Sequence, residues 1–166
     1  MFMGDEFGQT SEWNYERELD WELLQHSAHN DLQECVRTLN YLYRTEPAMY
    51  ENQFEKKGFE WVNTENRKEG ILVFKRKGKH RNNDLLVVLN MTVHPRKDWT
   101  EQVKGKAHWH EIFNSDDVKL FNSDDVKYWG SGKYMNQNII CAPVDKKKKL
   151  YEIKLTIPPL AAIILR

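Results

Sequence analysis

The chain has 166 residues, 40% hydrophobic and 12% aromatic, enough to bury a core as one domain or one domain with an attached piece. Its 25 basic residues balance 25 acidic ones, so no overall field draws it to nucleic acid or an anionic membrane, and neither is an expected partner. The apolar run PPLAAIIL at 158–165 is far shorter than the roughly 18–20 residues of a membrane helix, and the opening MFMGDE lacks the basic and apolar parts of a secretory leader. Cys35 and Cys141 sit in apolar surroundings and read as reduced core thiols of a cytoplasmic protein.

In chain order, the apolar triplet Met1, Phe2, Met3 reads as a strand delivering its end to the loop GDEFGQ, which is followed by a polar stretch carrying Trp13 and Trp21. Leu32, Val36, Leu39 and Tyr43 then recur at helical spacing, with Cys35 and Leu42 widening the stripe, and Pro47 forbids continuation through Glu46. This predicts a helix over 30–44. From residue 59 the period becomes two. Strands are predicted over 59–62, 71–76, 85–91, 109–113, 139–142, 150–157 and 161–165, with turn clusters over 63–70, 77–84 and 130–138. Short strands at this spacing predict an antiparallel β-sandwich, and Leu150, Ile153, Leu155 and Ile157 mark the buried face of one strand.

One repeat stands out. FNSDDVK occurs at 113–119 and again at 121–127, a period of eight. Two copies cannot build a solenoid, and an even insertion leaves the inward and outward parity of the following strand unchanged. The duplication is therefore expected to be a tolerated local insertion, with one copy structural and the other looped out. The basic run KKKKL at 146–150, taken alone, reads as a solvated turn.

The residues offer no catalytic set. His108 and His110 would share a face of a strand, and His26 and His29 lie close in sequence, but neither pair has the further ligands a zinc site needs. NSDD does not continue into a calcium loop and reads as an Asx turn. Asp5 and Glu6 border a glycine-flanked loop, yet neighbours on a strand face opposite ways and cannot serve as a facing acid and nucleophile. Neither metal nor cofactor is predicted, and no catalytic residue is assigned.

The opening segment nevertheless resembles a known one. MGDEFGQ at 3–9, EWN at 12–14 and LDW at 19–21 are similar to the segment at the eighth barrel strand of bacterial 1,4-α-glucan branching enzymes of the α-amylase superfamily. LNYLYRTEPAMYE at 39–51, GFEWV at 58–62 and LTIPPL at 155–160 extend the likeness through the last barrel helix and the C-terminal β-domain. The resemblance implies a mainly β fold, an antiparallel β-sandwich over 53–166 preceded over 1–52 by a strand, loop and helix remnant of a (β/α)8 barrel. In that family an aspartate nucleophile, a glutamate acid/base and a second aspartate lie on earlier barrel strands, and none of them maps onto this chain. The expected role is thus that of a C-terminal branching-enzyme fragment in glycogen biosynthesis, inactive alone and lacking its barrel. The different-class alternative is a stand-alone carbohydrate-binding or scaffolding sandwich. The expected ligand is α-glucan, held weakly on the loop. Trp13 offers an indole face to sugar C–H groups, Asn14 an amide to hydroxyls, and Glu6 a carboxylate at the rim.

Overall fold

In the computed structural model the described residues are 1–117, 121–122, 134, 136 and 139–166. They form two compact units, Met1–Thr45 and Glu46–Arg166.

In the first unit, a 3₁₀ turn at Asp5–Phe7 and another at Trp21–Gln25 precede helix α1, Ser27–Thr45. The predicted opening strand is absent. An isolated strand leaves its N–H and C=O groups unpaired; here the Asp5 N–H instead donates to the Phe2 carbonyl at 2.8 Å and the chain turns. Helix α1 starts three residues before the predicted span and ends one after it. Its buried line is Asp31, Cys35 and Leu42, whereas Leu32, Leu39 and Tyr43 of the predicted stripe stand exposed. Periodicity located the helix, but the face turned inward lies to one side of the one with most apolar residues.

The second unit begins with the short helix α2, Pro47–Tyr50, whose proline at the first turn holds Glu46 in extended backbone as its ring requires. The strands follow: β1 Phe59–Asn63, β2 Ile71–Arg76, β3 Leu85–Asn90, β4 Arg96–Lys104, β5 His108–Trp109, β6 Glu111–Asn114, β7 Asp116–Asp117, β8 Phe121–Asn122, β9 Ile139–Ile140, β10 Ala142–Asp145, β11 Leu150–Ile157 and β12 Ala161–Leu165. A five-stranded sheet runs β1-β2-β3-β12-β6 and a three-stranded sheet β10-β11-β4, with β5 paired to β9 and β7 to β8. All pairings are antiparallel.

Alternation then decides the core. From the larger sheet, Ile71 and Val73 of β2, Leu86 and Val88 of β3, and Ile163 and Leu165 of β12 point inward. Facing them are Ile153, Leu155 and Ile157 of β11 and Val103 of β4, with Trp109, Ile139 and Cys141 beside them. This is the expected sandwich. Periodicity missed the short β7 and β8 and nearly all of β10, and the longest strand it missed is β4, RKDWTEQVK, in which only Val103 is fully buried. It is an edge strand, paired along its length to β11 alone, and besides Val103 only the half-buried Trp99 packs against the core.

The first FNSDDVK copy is built into this frame. Phe113 is buried and lies opposite Ile164 in the ladder, and Ser115 exchanges hydrogen bonds with Ala162 through its N–H and its hydroxyl oxygen. Of the second copy, only Phe121 and Asn122 fall within the described residues, as does only part of the predicted 130–138 turn cluster.

Candidate functional site

The loop carrying the sequence-predicted residues lies in the first unit and is closed by its own polar groups. Gly4 and Gly8 have φ of +95° and +68°, the left-handed region that suits glycine. A Cβ on Gly4 would come 2.9 Å from Cβ of Gln9. Between them Phe7 is fully buried, its ring 5.2 Å from that of Trp21, and its carbonyl accepts from His29 Nδ1 at 2.8 Å. Gln9 straps the loop: its Oε1 accepts from the Asp20 N–H at 2.9 Å, and its Nε2 donates to the Ser11 carbonyl at 3.1 Å. The Ser11 hydroxyl donates to the Asp20 carboxylate. The residues that made this stretch recognisable as a motif are thus the ones that hold its shape.

On this frame the three predicted residues have unequal freedom. Trp13 is 41% exposed, with its indole edge-on to Phe2 at 5.1 Å and 81°. Beside it, Asn14 accepts the Glu16 N–H at 2.9 Å through Oδ1, an Asx turn that leaves the amide Nδ2 as its free polar end. Glu6 folds back so that Oε2 accepts the Gly4 N–H at 3.1 Å, while Asp5 accepts the Phe2 N–H at 2.7 Å. Trp13 and Asn14 are therefore adjacent and presented, and Glu6 shapes the loop. Both carboxylates next to the glycines are engaged as backbone acceptors. Among the described residues there is no group of three His, Cys, Asp or Glu that could hold a metal, and no helix long and apolar enough to cross a membrane.

A second constellation, in the sandwich unit, was not foreseen. In β2 the inward positions run Ile71, Val73, Lys75, so an ammonium group follows two core residues on the same face. Lys75 is 5% exposed; its Nζ donates to the Lys104 carbonyl at the end of β4 and lies 4.0 Å from Glu60. Burial lowers its pKa, opposed by Glu60 and Asp84. Register brings in the rest. Leu150 pairs with Lys104, which sets the KKKK turn against the end of β4, and the Gly105 N–H donates to the Lys149 carbonyl at 2.9 Å. The turn itself is held by Asp145 Oδ1, which accepts the N–H groups of Lys147 and Lys148.

These pieces and the β2–β3 connection line a groove of about 790 Å³. Among the described residues, ten lysine and arginine side chains border it against two carboxylates, Glu60 and Asp84. Glu60 is already bonded to Lys77 at 2.8 Å, and that hydrogen bond lowers its pKa. Burial raises the pKa of Asp84. Lys106 donates to the Asn82 and Asp84 carbonyls at 2.8 and 2.9 Å with its ammonium 4.9 Å from the centre of the Trp109 ring, and burial lowers its pKa. His108 is exposed, while His110 accepts from Arg166 Nε at 3.2 Å. Burial first, then the Arg166 and Lys106 charges, lowers the His110 pKa.

The antiparallel two-sheet sandwich of the second unit places it among all-β domains. The chain belongs to the alpha amylase C-terminal all-beta domain family, which matches residues 61–120 and again 117–166. The two matches overlap over 117–120, around the end of the first FNSDDVK copy. The whole chain is also 38% identical to part of the 1,4-alpha-glucan branching enzyme GlgB of Aquifex aeolicus, covering 100% of this chain and 25% of that one. For the enzymes of the same name from Halothermothrix orenii and Rhodopseudomonas palustris the identity is again 38%, over 98% and 99% of this chain and 25% and 21% of theirs. The chain thus spans about a quarter of the length of the curated relatives it matches.

Proposed function

We propose that this chain is the C-terminal part of a cytoplasmic 1,4-α-glucan branching enzyme of glycogen biosynthesis. In this reading the sandwich supports a barrel that carries the chemistry, and residues 1–52 belong to that barrel. The reading is carried by one observation: the likeness to the branching enzymes runs through the opening loop as well as the sandwich, covering 100% of the chain. Side chains in the first unit fit the same reading, since Met1, Phe2, Met3, Leu32 and Leu39 stand 40–80% exposed, an apolar surface suited to packing against further strands and helices.

The chain contributes no catalytic residue in this reading. Its part in glucan handling is contact. The Trp13 indole stacks on the C–H face of a glucose ring, Asn14 Nδ2 donates to a ring hydroxyl, and Glu6 keeps the loop in shape. A lone subsite with one indole and one amide holds an oligosaccharide weakly, with a dissociation constant of about a millimolar, because ordering the ligand offsets most of the contact energy. The test is a maltoheptaose titration followed by the indole N–H resonances of the isotope-labelled chain. The Trp13 resonance is expected to move, and Trp13→Ala to abolish the response while the sandwich resonances stay in place. Shifts confined to Trp61, Trp99 or Trp109 would put the glucan on the sandwich and refute the assignment.

A further inference from the structure

The basic groove of the sandwich unit is a charge arrangement that folding alone does not call for. In a chain with no net charge, ten cations border one groove with two carboxylates. Glu60 pairs with Lys75 and Lys77, Glu55 with Lys57 and Asp145 with Lys148, and Lys79, Arg81, Lys104, Lys147 and Lys149 are left without an ion pair among the described residues. Like charges at this density repel, and a concave wall of one sign focuses its field into the groove and raises the local concentration of anions. Buried Lys75 and half-buried Lys106 add to this, in surroundings of lower dielectric than bulk water. Mobile lysine ammonium groups suit a phosphate, which accepts several charge-assisted hydrogen bonds at once.

Size and surface decide what carries the phosphate. A groove of about 790 Å³ is in the range of small-ligand sites, roughly 300–1,000 Å³. Trp109, the one aromatic among the described lining residues, is 3% exposed, so among them no open ring is offered for stacking a base, as single-stranded nucleic acid and nucleotides favour. Two buried polar atoms of the lining residues have no hydrogen-bond partner, the indole Nε1 of Trp109 and Oδ1 of Asn52. One is a donor and the other an acceptor, and a hydroxyl group can satisfy either kind.

We propose that this groove binds a small phosphorylated sugar, the phosphate taken by the unpaired lysines and Arg81 and the hydroxyls by the groove wall. The site is separate from the Trp13 loop and does not rest on the glucan reading. The shared chemistry is a phosphate monoester on a saccharide, which a free sugar phosphate or a phosphorylated glucan chain can both present.

The experiment is calorimetric titration of the full chain at low ionic strength with glucose 6-phosphate, inorganic phosphate, AMP and a 6-phosphorylated maltodextrin. Glucose 6-phosphate is expected to bind at least about tenfold more tightly than inorganic phosphate or AMP. A tighter maltodextrin would identify the glucan chain as the source, and a weaker one the free sugar. Lys104→Gln and Lys149→Gln, neither of whose ammonium groups has an ion-pair partner among the described residues, are each expected to weaken binding about fivefold. Lys97→Gln, exposed and outside the groove, serves as the control and is expected to leave binding unchanged. Absence of binding by every phosphate ester in a chain whose near-ultraviolet circular dichroism is native would overturn the proposal. So would equal affinity for inorganic phosphate and glucose 6-phosphate, AMP binding as tightly, or a single-stranded oligonucleotide displacing the sugar phosphate.

Discussion

Replacing Ile163 by alanine tests the sandwich at its centre. The residue is fully buried in β12, where it pairs with Val88 of β3 on one side and Asn114 of β6 on the other, and its side chain belongs to the core shared with β11. The substitution deletes three carbons, which at about 0.8 kcal/mol each removes roughly 2.4 kcal/mol of transfer energy. With strands hydrogen-bonded on both sides the backbone cannot collapse into the space, and the cavity term raises the expected loss to about 3–5 kcal/mol. Ile163→Val, one carbon smaller, is expected to cost about 1 kcal/mol. Ile140→Ala is the matched control, because that side chain is 73% exposed; its effect is expected within about 0.5 kcal/mol. Equilibrium urea unfolding followed by far-ultraviolet circular dichroism measures all three, with the slope against denaturant unchanged. A loss below about 1 kcal/mol for Ile163→Ala, or an equal loss for Ile140→Ala, would refute the two-sheet core and its facing assignment.

The thiols supply a pH-dependent prediction. Burial raises the pKa of both Cys35 and Cys141 to about 11, so at pH 8 about one thiol in a thousand is ionised, and both should resist alkylation until the chain is unfolded in denaturant. Because the folded values lie above the unfolded thiol value of about 8.5, this contribution to stability is complete below that pH and is lost as pH rises toward 11. Rapid labelling of the folded chain at pH 8 would contradict the burial. The duplicated heptad predicts that excising residues 113–120 leaves the melting temperature unchanged or raised, since Phe121 then inherits the place of Phe113 with parity preserved. A large fall in the melting temperature would mean that the fold needs both copies.

Periodicity in the sequence was enough to place β2, β11 and β12 with their observed bounds, because each alternates or runs apolar against a core and ends at glycine, proline or charge. It was enough, too, to place a helix before Pro47 and to mark Gly4–Gln9 as a shaped loop, since a positive-φ glycine and a short polar strap are local properties. Pairing, by contrast, is non-local. The opening triplet has the composition of a strand but no pairing strand among the described residues, and β4 has the composition of a loop yet becomes a strand because β11 supplies a ladder. The basic groove shows the same division most clearly. Its lysines are spread over nearly a hundred positions of an electrically neutral sequence, where each reads as a solvated charge. Only the register that sets Leu150 against Lys104, and the inward parity of Lys75 behind Ile71 and Val73, gathers them at one end of the sandwich, because strand pairing fixes positions in space that charge counting along the chain does not contain.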